Sequence, residues 1–187
     1  MRRSVAWVLA SAAVYAVVRY HGFKGLPWSD LPAYTANKIL ALAATGLLGV
    51  ALWRRWRGET RGALRDLHAA GALAATHVLL SLVLLTPAYF AGFFSDGRLT
   101  AAAGLAMTAG AAAAAIVAAS ARARREVRGG GAAWRLAAVA ALVALHAGAM
   151  GFDGWLAPGK WPGGMPPITL ISAALGAAGA ALALRRG

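Results

Sequence analysis

Two histidines, His77 and His146, are the residues best suited to chemistry in this sequence, because each lies deep in an apolar stretch. The stretch around His77 carries no charge from residue 69 to residue 95. The chain contains no cysteine, which excludes disulfides, thiolate zinc sites, iron–sulfur clusters and covalent haem attachment. Neutral imidazole is therefore the strong metal ligand that remains, and it binds a metal ion without burying a charge of its own.

Other kinds of site find little support. The carboxylates all fall in predicted loops or at predicted helix ends: Asp30, Glu59, Asp66, Asp96, Glu126 and Asp153. Ion-coupled transporters usually keep a carboxylate inside the membrane, so this distribution disfavours a transporter. A Ser–His–Asp set, an HExxH motif and the glycine motifs of nucleotide sites are missing, so we expect no flavin or nicotinamide site in this chain.

The elements that must position the two histidines are membrane helices. Of the 187 residues, 60% are hydrophobic and 13% are charged, about half the ~25% charged residues of soluble domains. The apolar runs predict an all-α integral membrane protein, one domain over residues 1–187 with six transmembrane helices. Their approximate limits are 4–19, 36–56, 67–89, 99–121, 133–151 and 167–185.

The positive charges predict the orientation of these helices. The N-terminus, the loop after helix 2, the loop after helix 4 and the C-terminus hold two, five, four and two Lys or Arg residues. The other three loops hold two, one and one. Positive loops stay in the cytoplasm, so we expect both termini to be cytoplasmic. The net charge of +13 is then explained by topology and lipid contact, and no nucleic-acid partner is expected.

Helical spacing gives each histidine an apolar face with room beside it. His77 shares its face with two alanines, Ala70 and Ala74, which would leave a shallow slot for a flat macrocycle. His146 shares its face with Val139, Leu142, Val143, Ala149 and Met150. Helices 3 and 5 would run in the same direction, so the two histidines could meet and bind one haem iron from opposite sides.

The other readings of these residues stay open. Each histidine could simply hydrogen-bond a neighbouring helix, through Thr76 or Thr108. Met150 could replace His146 as a ligand, although buried methionine is more often a packing residue. His68 lies nine residues before His77, on the opposite face of the helix, and His21 falls in an outer loop, so neither is assigned to the site.

The sequence resembles the bacterial ferric reductase-like transmembrane proteins, relatives of the haem-bearing membrane subunit of the periplasmic methionine sulfoxide reductase system. Three segments carry the resemblance: NKILALAA from Asn37, LLSLVLLTPAYFAGFFSDGRL from Leu79 and GWLAPGKWPGGMPPITL from Gly154. It implies six helices, a b-type haem bound by His77 and His146 between helices 3 and 5, and electron transfer across the membrane.

The chain also departs from that superfamily. Two-haem members have a second histidine thirteen or fourteen residues from the first on each helix. The corresponding positions here hold other residues: Ala63, Leu64, Phe90, Ala91, Ala132 and Ala133. We therefore expect one haem, and no flavin or nicotinamide domain.

Two hypotheses follow. In the first, the protein passes electrons from a quinol or flavoprotein donor to an acceptor through one b-type haem at His77 and His146. In the second, it is a haem-free accessory subunit packed against a larger membrane complex. Gly176, Gly179 and the alanine run from Ala111 to Ala115 would offer that complex smooth helix faces.

Overall fold

The computed structural model describes residues 3–122 and 130–185, and these residues are almost entirely helical. Six α-helices lie within them: α1 Arg3–Val17, α2 Ala36–Trp56, α3 Thr60–Val83, α4 Ala101–Arg122, α5 Gly130–Trp155 and α6 Ile168–Leu184. Arg124, Arg125 and Arg128 of the second basic loop, with Arg2 and Arg186 at the termini, lie outside the described residues.

Five helices are long and apolar enough to cross a membrane. The spans are Trp28–Trp56, Thr60–Val83, Ala101–Ala119, Gly131–Trp155 and Pro162–Leu184. The α1 helix has 15 residues, fewer than the roughly 20 that a span needs, and it continues as a π-helix over Val18–Phe23. The expectation of a helical, multi-pass membrane protein is thus confirmed, with five helices meeting the criterion rather than six.

The α3 helix begins earlier than the hydropathy indicated, at Thr60 instead of residue 67. Only a short turn separates it from α2, and Gly58 adopts the left-handed conformation there, with φ 86°. The first turns of α3 are amphipathic, with Ala63 and Asp66 buried while Arg61 and Arg65 are exposed. The two arginines of this segment therefore lie on the outer face of a helix and not in a loop.

The same helix ends at Val83, earlier than the predicted residue 89, and Pro87 explains the difference. Pro87 has no N–H to donate to the carbonyl of Val83, four residues before it, and its ring would clash with that carbonyl. The chain then forms a short hairpin in which β1, Phe94–Ser95, pairs with β2, Arg98–Leu99. Asp96 and Gly97 turn this hairpin with positive φ values of 50° and 73°, as Asp-Gly turns do.

The α6 helix joins the two halves of the bundle. It packs against α2 and α5, while α3 packs on α2 and α4 packs on α5. Gly176 and Gly179 make this close approach possible, because a Cβ on Gly176 would lie 2.7 Å from the Ala140 carbonyl oxygen. Both glycines are buried inside the bundle, so the expectation that they present a face to another subunit is wrong.

One carboxylate lies inside the bundle, contrary to the sequence expectation. Asp66 is fully buried in the second turn of α3. Its Oδ2 atom lies 2.7 Å from Nη1 of Arg54, and its Oδ1 atom accepts a hydrogen bond from Ser4 at 2.9 Å. This ion pair joins one end of α1, α2 and α3, and it is satisfied by these partners rather than free for transport.

Candidate functional site: a facing pair of histidines

The structure brings His77 of α3 and His146 of α5 together. Their ring centroids are 6.5 Å apart, and the ring planes are nearly perpendicular, at 85°. The main helix neighbours of the two are different: α3 packs mostly on α2, and α5 packs on α4 and α6. Residues of α3 and α5 nevertheless share one apolar core, and the two imidazoles meet where these helices approach each other.

Asn37 of α2 fixes the orientation of His77. Nδ1 of His77 lies 2.7 Å from the Asn37 side-chain oxygen and 3.2 Å from the Asn37 backbone oxygen. The Asn37 amide in turn donates to the Ser81 hydroxyl at 2.9 Å. Both oxygens of Asn37 can only accept, so Nδ1 of His77 must carry the proton and Nε2 must carry the lone pair.

A backbone carbonyl does the same for His146. Nδ1 of His146 lies 2.7 Å from the carbonyl oxygen of Ala106 on α4. Gly110, one turn further along α4, leaves the space for the ring, because a Cβ there would be 3.2 Å from Nδ1. A carbonyl can only accept, so His146 too is protonated at Nδ1 and has a free lone pair on Nε2.

The hydrogen bonds of the two rings follow a pattern that is common for metal-binding histidines. Imidazoles that bind a metal usually donate their other N–H to an oxygen, which holds the ring in place and makes the ligand more basic. Within the described chain, neither Nε2 atom has a hydrogen-bond partner. Neither atom is completely buried, because Arg19 Nε is the only described side-chain nitrogen or oxygen atom that is both buried and without a hydrogen-bond partner. The ring centroids lie 6.5 Å apart, so one bound group could contact both imidazoles.

The donor set distinguishes haem from a bare metal ion. The described residues contain no group of three or more His, Asp or Glu side chains that could hold a metal. A structural zinc site needs four protein ligands, whereas haem iron needs the protein only at its axial positions. Two histidines alone therefore fit haem better than zinc.

The threonines expected to engage the histidines do not do so. Thr76 donates to Ala72, and Thr108 donates to Gly104 and Leu105, each within its own helix. The histidines do bond neighbouring helices, as the packing interpretation expected, but through Asn37 and Ala106. The packing interpretation therefore explains the hydrogen bond at Nδ1 of each ring, but it gives no role to either Nε2 atom.

The other histidines lie elsewhere. His68 is exposed on α3 and bonds the Leu64 carbonyl of its own helix. His21 is buried, bonds Thr35 through Nε2 at 2.9 Å and stacks on Trp28 with centroids 4.6 Å apart. Its Nδ1 atom lies 3.0 Å from the Leu26 carbonyl oxygen, so both ring nitrogens hold the segment that leads into α2, a structural role that the sequence did not indicate.

The Lys38 amine lies over two aromatic rings. The Nζ atom is 4.9 Å from the ring centroids of both Tyr34 and Phe90. Sequence reasoning also missed the supporting role of Asn37, although an uncharged polar residue in an apolar helix is a recognisable signal of a hydrogen bond between helices.

Comparison of the chain with protein-family models, with curated proteins and with solved structures finds no match. The function is therefore argued from the histidine pair and its surroundings.

Proposed function

We propose that this protein is a membrane electron-transfer protein that holds one b-type haem between His77 and His146. The observation that carries the proposal is the pair of neighbouring imidazoles. Each ring donates its Nδ1–H to an oxygen, and each has no hydrogen-bond partner at Nε2 in the described chain. The resemblance to ferric reductase-like proteins points to the same residues. A haem iron bound at this position would supply one-electron chemistry.

The roles of the residues follow from their contacts. His77 and His146 would be the axial ligands. Asn37 and the Ala106 carbonyl would hold the rings in the required tautomer and orientation. The positions at which two-haem relatives have a second pair of ligands hold no histidine here, so one haem per chain is proposed.

We propose that the chain lies in a bacterial inner membrane with both termini on the cytoplasmic side, because the heavily positive loops alternate with weakly charged ones. The donor would be a quinol or a flavoprotein, since the sequence offers no flavin or nicotinamide site of its own.

An absorption spectrum of the detergent-purified protein, oxidised and then reduced with dithionite, tests the proposal. We expect the spectrum of six-coordinate b-type haem at one haem per chain. His77→Ala and His146→Ala should each lose this spectrum, because the iron would lack an axial ligand. His68→Ala is the matched control on the same helix. It should keep the spectrum, because His68 is exposed and lies away from His146.

Stoichiometric haem in both alanine variants would show that other residues bind the iron. A colourless protein, even after expression with added haem precursor, would favour the accessory-subunit hypothesis. One observation favours that alternative: Leu79 and Val83 of α3 are 66% and 77% exposed, so this helix offers an apolar face to a neighbour. It predicts co-purification with a larger membrane complex.

A further inference from the structure

A second candidate site lies at the end of the bundle where α5 stops and α6 starts. A cavity of about 480 Å³ opens there, within the range of small-molecule sites. Its wall contains three charged side chains, those of Arg19, Asp153 and Lys160. Met150, Trp161 and Thr169 are among its other lining residues. Except for Arg19, these residues lie at or between the facing ends of the candidate spans Gly131–Trp155 and Pro162–Leu184, and the ends of membrane-spanning helices lie near the membrane–water boundary.

Arg19 is the most unusual of these side chains. It is only 7% exposed, although a lone guanidinium is costly to bury. One of its terminal nitrogens donates to the Met165 carbonyl, and its Nε atom is buried with no partner in the described chain. The Tyr15 and Tyr20 hydroxyls also hydrogen-bond the guanidinium, but no carboxylate of the described chain pairs with it, so its positive charge is uncompensated beside the cavity.

The opposite charge lines the same cavity without neutralising Arg19. Asp153 and Lys160 are exposed, and neither they nor Arg19 form an ion pair with each other or with another described residue. Two cations and one carboxylate thus face one open space separately. A ligand that carries an oxyanion and an ammonium group would match both signs of charge at once.

We propose that this cavity binds the headgroup of a phosphoethanolamine lipid. The phosphate would accept hydrogen bonds from Arg19 and Lys160, and the primary ammonium would donate to Asp153. Met150 and Trp161 would contact the glycerol and the first part of the acyl chains. The position at the membrane boundary favours a lipid over a soluble zwitterion, because lipid headgroups are present there at high local concentration. This site does not depend on the proposed haem.

Native mass spectrometry of the detergent-purified full chain tests the proposal. The probes are phosphatidylethanolamine, phosphatidylglycerol and phosphatidylcholine with the same acyl chains. We expect the ethanolamine lipid to bind best, because the glycerol headgroup has no ammonium and the choline ammonium has no N–H for Asp153. Asp153→Asn should reduce the preference for ethanolamine over glycerol lipid by about tenfold, the worth of one charge-assisted hydrogen bond.

Two further variants locate the effect. Arg19→Gln should weaken binding of all three lipids, because it removes one of the two positive charges that line the cavity. Asp96→Asn, in the exposed hairpin turn, is the control for Asp153→Asn and should change nothing. Arg19→Gln also removes a bond to Met165 and could impair folding, so Asp153→Asn is the decisive variant, since that side chain is exposed and bonds no other described residue.

Three results would overturn the proposal. Phosphatidylglycerol binding as tightly as phosphatidylethanolamine would make the cavity a simple anion site. An equal effect of Asp153→Asn and Asp96→Asn would remove the carboxylate from the site. Binding of glycerophosphoethanolamine as tight as that of the diacyl lipid would assign the cavity to a soluble zwitterion.

Discussion

Replacing Asn37 by leucine tests whether the histidine pair is built as a ligand site. Asn37 is fully buried and provides the shorter of two acceptors for Nδ1 of His77, at 2.7 Å. The backbone oxygen of residue 37 would remain at 3.2 Å, and the Ser81 hydroxyl could turn to a carbonyl of its own helix. The ring would therefore be less firmly held but not released.

Such a partial loss sets the expected magnitude. Removing an outer-shell partner of a ligating histidine costs 10- to 100-fold in affinity, and the remaining backbone acceptor places Asn37→Leu near the lower limit, at about tenfold, or about 1.4 kcal/mol. The weaker hydrogen bond also makes the imidazole less basic, so it stabilises the oxidised iron less, and the midpoint potential should rise.

The assay is a haem titration of apo-protein followed by a redox titration, with the thermal midpoint of each apo-protein as a measure of folding. Thr45→Val is the matched control, because Thr45 is buried on the same helix and bonds only its own helix, at Ala41. Unchanged affinity and potential in Asn37→Leu, or an equal loss in Thr45→Val, would refute the assignment of Asn37 as the residue that orients a ligand.

Two further predictions concern the bundle itself. Asp66→Asn should lower the free energy of unfolding by about 2 kcal/mol. This is less than the roughly 3–5 kcal/mol lost when a fully buried ion pair is broken, because Arg54 is 27% exposed and can be hydrated. Denaturant unfolding measures the change, with Asp96→Asn as the exposed control. Gly176→Ala should cost about 2 kcal/mol, because its Cβ would press on the backbone of α5. Gly71→Ala is the control: nothing lies within 4 Å of the new Cβ, so this substitution should be neutral or slightly stabilising. Equal effects of Gly176→Ala and Gly71→Ala on the free energy of unfolding would contradict the close packing of α5 and α6.

The helical membrane architecture could be predicted because long apolar runs have few alternatives in a bilayer. The limits of α3 could not be predicted from hydropathy alone. Its start was hidden because Arg61, Arg65 and Asp66 look like a loop until their helical spacing is considered. Its end could have been predicted from Pro87. A proline leaves the carbonyl four residues before it without a donor, and that carbonyl belongs to Val83, where the helix ends.

The histidine pair could be proposed from the sequence by elimination, since few other residues in the apolar spans can do chemistry. The residues that hold the pair could not be predicted in the same way. His146 bonds the main-chain oxygen of Ala106, and every residue has such an oxygen, so no side-chain pattern identifies it. Likewise Asp66 was assigned to a loop, because its burial depends on Arg54 and Ser4, which belong to other helices.

The two histidines are held by the same device in two different helix pairs. His77 on α3 bonds an oxygen of Asn37 near the start of α2, and His146 on α5 bonds the oxygen of Ala106 near the start of α4. Each pair therefore orients its own imidazole without help from the other. The distance between the rings depends instead on α6, which packs on both α2 and α5.

This division separates two properties that a ligand site needs. The tautomer and direction of each ring are local, and a change within one helix pair should disturb one ligand. The spacing of the rings is a property of the whole bundle, and Gly176, which lets α5 approach α6, should affect it without touching either histidine. The fold thus fixes Nδ1 of each ring within its own helix pair and sets the spacing of the rings by the packing of the whole bundle.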